Sequence, residues 1–104
     1  MATEKEVLRK LGEVIDPELG IDIVELGLIY EVKAHKKEKD KDQKIEIKMT
    51  FTTPACPMIN FMLAQVEEKL NEIKDADIEV SVVFEPLWTP ERMSKKAKLK
   101  LGIE

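Results

Sequence analysis

The alternation of apolar and polar residues predicts an α+β fold. We expect a two-layer α/β sandwich in the order α-β-β-α-β-α, with a three-stranded mixed sheet and the helices on one face. Three observations carry this. Segments 28–34, 45–52 and 78–85 alternate with period two, as half-buried strands do. Segments 7–15, 59–73 and 93–101 repeat apolar residues at helical spacing. Each strand keeps a mostly polar second face, so only one side of the sheet needs covering.

In chain order, Thr3-Glu4-Lys5-Glu6 reads as a capping box. Val7, Leu8, Leu11, Val14 and Ile15 then form one helical face, and Asp16-Pro17 is expected to end that helix. Residues 18–27 form a connector with two glycines and room for one helical turn at 23–26. Leu28, Tyr30, Val32 and Ala34 are expected on the core side of the first strand. The mixed-charge run 35–44 is a solvated hairpin tip. Ile45, Ile47, Met49 and Phe51 supply the core side of the second strand, antiparallel to the first.

The second helix is expected to start at Pro57, since proline is tolerated at a first helical position, with Cys56 as its cap. Ile59, Met62, Leu63, Val66, Leu70 and Ile73 form its stripe. Ile78, Val80, Val82 and Phe84 give the third strand, which Pro86 breaks. Thr89-Pro90-Glu91 is expected to open the last helix, with Met93, Ala97 and Leu101 facing inward. The exposed sheet face would carry Glu31, Lys33, Glu46, Lys48, Thr50, Glu79 and Ser81.

With 104 residues, the chain is read as a single domain, 1–104. Its 37% charged residues and net charge of −4 fit a water-soluble protein and argue against a nucleic-acid partner. A lone cysteine forms no internal disulfide, the first residues are charged, and no apolar stretch is long enough for a bilayer. The expectation is a cytoplasmic protein without a membrane partner.

Topology collects three irregular stretches at one end of the sheet. The connector brings Asp16, Glu18 and Asp22, the end of the second strand brings Thr52, Thr53 and Cys56, and the chain after the third strand brings Pro86, Leu87 and Trp88. Loops on a rigid scaffold are where function concentrates. At a helix start the peptide dipoles favour a thiolate, whereas Ser, Thr, Asp or Asn would cap better. The other reading of Cys56 is a small buried hydrophobe closing a loop. Asp16 can equally cap the next turn, Thr52 and Thr53 can satisfy loop amides, and Trp88 can be a core lid.

The single histidine, His35, belongs to the hairpin tip, about 20–25 Å from the cysteine end at ~3.3 Å per strand residue. A Cys–His dyad or a shared metal within one chain is therefore not expected, and the spacing of a closed zinc site is missing. One thiolate also falls short of the roughly four ligands of an iron–sulfur cluster. Cys56 could ligate metal only by sharing it with another subunit, a client or a small thiol, or with help from carboxylates.

Three stretches resemble the signatures of the PaaD/SufT-like metal–sulfur cluster assembly domains. They are Val14-Ile15-Asp16-Pro17-Glu18-Leu19-Gly20 with Asp22 to Tyr30, then Met49 to Pro57, then Trp88-Thr89-Pro90-Glu91-Arg92-Met93. All occur in the family's order, and only the charged hairpin tip lacks a counterpart. The resemblance implies a non-enzymatic factor in iron–sulfur protein maturation, acting as carrier, scaffold or targeting adaptor, with no catalytic residues. It places the reactive, cluster-transferring cysteine on Cys56, with Asp16, Glu18, Thr52 and Thr53 as supporting positions. It further implies a transient iron–sulfur cluster or iron rather than a permanent cofactor. The implied partners are iron–sulfur assembly proteins and client apoproteins, with a homodimer as one way to pair thiolates. The alternative is a small thiol-dependent transferase with Cys56 as nucleophile. RNA binding is disfavoured by the acidic charge and the missing Gly-x-x-Gly loop.

Overall fold

The computed structural model describes residues 2–52 and 58–102. Helix α1, Glu4–Leu11, is followed by a two-stranded ribbon of β1, Ile15–Asp16, and β2, Ile21–Asp22. Strands β3, Ile29–Ala34, and β4, Gln43–Met49, form the long hairpin. Helix α2, Ile59–Leu70, leads to β5, Ala76–Val82; a 3₁₀ turn, Pro90–Arg92, then precedes α3, Lys95–Leu101.

The main sheet is ordered β3-β4-β5, antiparallel between β3 and β4 and parallel between β4 and β5. It is mixed, as expected. The parallel pair forces the chain to cross over through α2, so β5 ends beside the end of β4, where the Val83 amide donates to the Met49 carbonyl. Ile45, Ile47 and Met49 are buried on one face of β4, with Val7 and Leu11 of α1 and Met62, Val66 and Leu70 of α2 in the same core. Removing these side chains from water supplies the main driving force for the sandwich.

Five local expectations are corrected. Helix α1 stops at Leu11 with Gly12 as its cap, not at Asp16, because Ile15 and Asp16 leave to pair with Asp22 and Ile21. Helix α2 starts at Ile59 with Met58 in the cap position, two residues later than the Pro57 start expected. Cys56 and Pro57 themselves lie outside the described residues. The last helix is interrupted: Met93 is extended, and Ser94 caps α3 by accepting the Ala97 amide at 3.1 Å. Tyr30 is not on the core side. The register slips between Ile29 and Glu31, so Tyr30 is the extra residue of a β-bulge, and Ile29, Val32 and Ala34 face the buried residues of β4 instead. Thr50, expected on the open face, is buried.

Candidate functional site

A cavity of about 330 Å³ opens at the end of the sheet where β4 and β5 finish. Its walls are Asp16, Glu18 and Leu19 from the ribbon, Thr52 and Met58 from the β4–α2 connection, Trp88 and Met93 beyond β5, and Leu101 of α3. Asp16, Glu18, Thr52 and Trp88, distant in sequence, are thus brought together as the topology implied. Thr53 and Cys56 lie outside the described residues, but Thr52 and Met58, on either side of that stretch, both line the cavity.

The ribbon explains how Asp16 reaches this place. Asp16 is only 7% exposed, and its Oδ1 accepts the Glu18 and Leu19 amides at 2.8 and 3.2 Å. The Gly20 amide, on a residue with φ +70, donates back to the Asp16 carbonyl at 2.7 Å. Asp16 therefore builds the tight turn as well as lining the cavity, and the turn-capping reading of this residue holds. Asp22 does the same one turn later, its Oδ2 accepting the Val24 and Glu25 amides at 3.1 and 3.0 Å. Asp22 does not line this cavity; it borders a smaller one of about 140 Å³ between the ribbon and α3.

The opposite wall is fastened to the connector. Trp88 Nε1 donates to the Leu26 carbonyl at 2.7 Å, so the indole is both lid and strut. The Tyr30 hydroxyl donates to the Pro86 carbonyl at 2.9 Å, and the Arg92 guanidinium stacks 4.5 Å from the centre of the Tyr30 ring. The Ser94 amide donates to the Glu25 carbonyl at 2.8 Å, and the Ser94 hydroxyl donates to the Glu25 carboxylate. Gly27, at φ +79, is where the two segments press together: a Cβ there would sit 2.2 Å from the Arg92 carbonyl oxygen. Only glycine fits this backbone on both counts.

Sequence reasoning did not single out Leu19, Met58, Met93 and Leu101 as cavity walls, nor Gly27 and Tyr30 as fasteners. Two signals were available: Met58 directly follows the proline-bracketed loop, and Tyr30 is the only tyrosine in the chain.

The hairpin end is chemically different. His35 Nε2 donates to Glu46 Oε2 at 2.6 Å, and this bond holds the Glu46 carboxyl below its ordinary 4.5. A wider groove of about 610 Å³ lies there, among His35, Lys36, Glu38, Lys41, Asp42 and Lys44. It is ringed by exposed side chains and has no buried polar group aimed into it. Among the described residues no cluster of three or more His, Cys, Asp or Glu could hold a metal ion. No helix among them is long and apolar enough to cross a membrane.

Residues 4–82 match the family described as "Iron-sulfur cluster assembly protein". The chain is similar to the Fe-S protein maturation auxiliary factor YitW of Bacillus subtilis, 38% identical over 99% of this chain and 97% of that one. It is 45% identical to the Fe-S protein maturation auxiliary factor SufT of Staphylococcus aureus, over 86% of this chain and 98% of the relative. A solved structure from Bacillus anthracis, described as a domain of unknown function DUF59, superposes with a TM-score of 0.82. It is 42% identical and covers 97% of this chain and 92% of that one.

Proposed function

The chain belongs to the iron–sulfur cluster assembly protein family, and from that premise we propose that it is a non-enzymatic auxiliary factor in the maturation of iron–sulfur proteins, using Cys56, which in sequence falls between two residues of the 330 Å³ cavity, to hold and hand over iron or a cluster. The observation that carries this reading is the bracketing of the cysteine. Cys56 stands four residues after Thr52 and two before Met58, both of them cavity walls.

A thiolate is a good ligand for a soft or borderline metal, and carboxylates such as Glu18 can complete a transient shell. One chain supplies too few thiolates for a stable cluster. The cargo is therefore shared with a second chain, a client or a small thiol, and it leaves by exchange: an incoming client thiolate replaces Cys56 on the metal, with no net oxidation or reduction. Easy release suits a carrier better than a storage protein.

A thiol transferase has less to rest on. Its base would have to reach Cys56, whereas His35 is engaged with Glu46 at the other end of the hairpin, and the relatives are named as maturation auxiliary factors. Anaerobic reconstitution with iron and sulfide, followed by absorption spectroscopy, tests the proposal. Charge-transfer bands that Cys56→Ser removes support it. No bound iron or cluster, with or without a client apoprotein, refutes the carrier reading.

A further inference from the structure

Helix α3 is out of keeping with the rest of the chain. Residues 92–101 hold five of the seventeen basic residues and none of the twenty-one acidic ones, leaving twelve basic against twenty-one acidic elsewhere. The break at Met93 puts Lys95 and Lys96 in the first turn of α3, with no acidic residue there. Cations at that end oppose the peptide dipoles, so this placement works against local stability. Arg92 and Lys100 have internal duties, the first on the Tyr30 ring and the second donating to the Gly20 carbonyl at 3.0 Å. Lys95, Lys96 and Lys98 have no ion pair among the described residues.

Ala97 is buried and Leu101 lines the cavity, which fixes the inward side of α3. At roughly 100° per residue the opposite side carries Lys95 and Leu99, with Lys96 at its edge, where it also borders the smaller cavity that holds Asp22 and Glu25. Leu99 is 58% exposed, an apolar side chain set between two lysines. Solvation alone would be served better by a polar residue at this position.

We propose that this face of α3 docks an acidic segment of a partner protein, with Leu99 receiving one apolar side chain of that segment and Lys95 and Lys96 pairing with the carboxylates beside it. The chemistry selects the partner: a net-acidic chain repels most other acidic surfaces, and this patch, which unlike the lysine-rich hairpin tip holds no acidic residue, reverses that repulsion. A nucleic acid fits less well, since the lysines surround an exposed leucine and the rest of the chain is net acidic. A helix this short buries little area, so the contact is weak and rapidly reversible, as an encounter complex requires. Because Met93 and Leu101 connect α3 to the cavity wall, a partner held here stands beside the cargo site. The proposal rests on the reading that the chain meets partner proteins, but not on what Cys56 carries.

The test is an amide NMR titration of the whole chain with a short synthetic peptide of Glu and Asp residues around one central Leu. The expected result is a set of shifts centred on α3, strongest at low salt. Affinity should fall by ~10-fold or more in Lys95→Glu/Lys96→Glu and by ~3-fold or more in Leu99→Ser. Thermal melting should not fall in Lys95→Glu alone, because an acid suits a first helical turn and Lys95, unlike Lys96, does not border the cavity that holds Asp22 and Glu25. Shifts that avoid α3, unchanged affinity in the double variant, or tighter binding of oligouridylate than of the peptide would each overturn the proposal. Reconstitution of the double variant separates the two readings: docking lost with Cys56-dependent iron binding intact supports this surface. Iron binding absent from wild type refutes the carrier reading and leaves the surface standing.

Discussion

The two ends of the sheet hold cavities of opposite character. At the hairpin tip the groove is wider, about 610 Å³ against 330 Å³, yet its lining is mostly exposed lysines and carboxylates, with ion pairs such as Lys41–Glu38 and His35–Glu46 on the surface. At the other end several polar groups have a structural task. Asp16 holds a turn, Trp88 holds the Leu26 carbonyl, Tyr30 holds Pro86, and Gly27 lets the Arg92 backbone come close. Surface ion pairs contribute little to stability, because salt and side-chain entropy offset them. Side-chain hydrogen bonds to backbone groups, part-buried at Asp16 and Trp88, and close backbone packing fix positions. A pocket made by pinned segments can present ligands in one geometry, and a bigger groove between solvated side chains does not.

The contrast is broken most severely at Gly27. Gly27→Ala should cost about 2–4 kcal/mol, since the new Cβ meets backbone at Arg92 and the residue has positive φ. Gly20→Ala should cost only about 1 kcal/mol, because its φ is similar but nothing lies within 4 Å. Urea unfolding of the pair measures the difference, and equal midpoints would remove the close-approach argument. Next in size is Trp88→Phe, which keeps the ring but leaves the Leu26 carbonyl without its donor. A loss of about 1–2 kcal/mol is expected, and a melting temperature equal to wild type would mean water replaces the indole.

Asp16 separates its two roles. Asp16→Asn keeps an Oδ1 acceptor for the Glu18 and Leu19 amides and should change stability by less than about 0.5 kcal/mol, whereas Asp16→Ala should lose about 1 kcal/mol. If the carboxylate also serves the cargo, the Asn variant lowers client maturation while melting normally. Full maturation in that variant reduces Asp16 to a turn residue.

The smallest effect belongs to the hairpin tip. The bond from His35 holds the Glu46 carboxyl below its ordinary value, so the ionised group is favoured by folding. That contribution is complete above 4.5 and disappears as pH falls through the lower folded value. His35→Ala should therefore flatten the acid limb of the stability curve slightly and leave maturation untouched. A steeper acid limb, or impaired maturation, would give the hairpin tip a role that its geometry does not suggest.

Much of this was legible in the chain because period-two and helical spacing survive wherever one face is buried. The segments 45–52 and 78–85 read correctly as strands in type but not in bounds, each strand starting two residues earlier and ending three residues sooner, and their meeting at one end followed from the crossover. What the pattern hid was set by single contacts across the fold. Ile15-Asp16 looks like a helix end because its partner, Ile21-Asp22, is a two-residue strand too short to show alternation. Tyr30 looks like a core residue because a bulge leaves no mark in the sequence beyond its neighbours' polarity. The break at Met93 depends on the Ser94 amide meeting the Glu25 carbonyl, a contact between residues 69 apart. Asp16, Glu18, Thr52 and Trp88 could be grouped from topology, whereas Leu19, Met58, Met93 and Leu101 belong to the cavity only through packing.

The most direct test of the central claim is the activity of client iron–sulfur enzymes in cells whose only copy carries Cys56→Ser, normalised to the amount of folded protein. Val66→Ala serves as the reference for simple destabilisation: it removes buried methyl groups from α2 at about 2–3 kcal/mol. The account predicts that Cys56→Ser melts within about 1 kcal/mol of wild type and loses maturation, while Val66→Ala loses maturation only in proportion to lost folded protein. Full client activity with Cys56→Ser would show that the cysteine is a packing residue and that the cavity serves some other end.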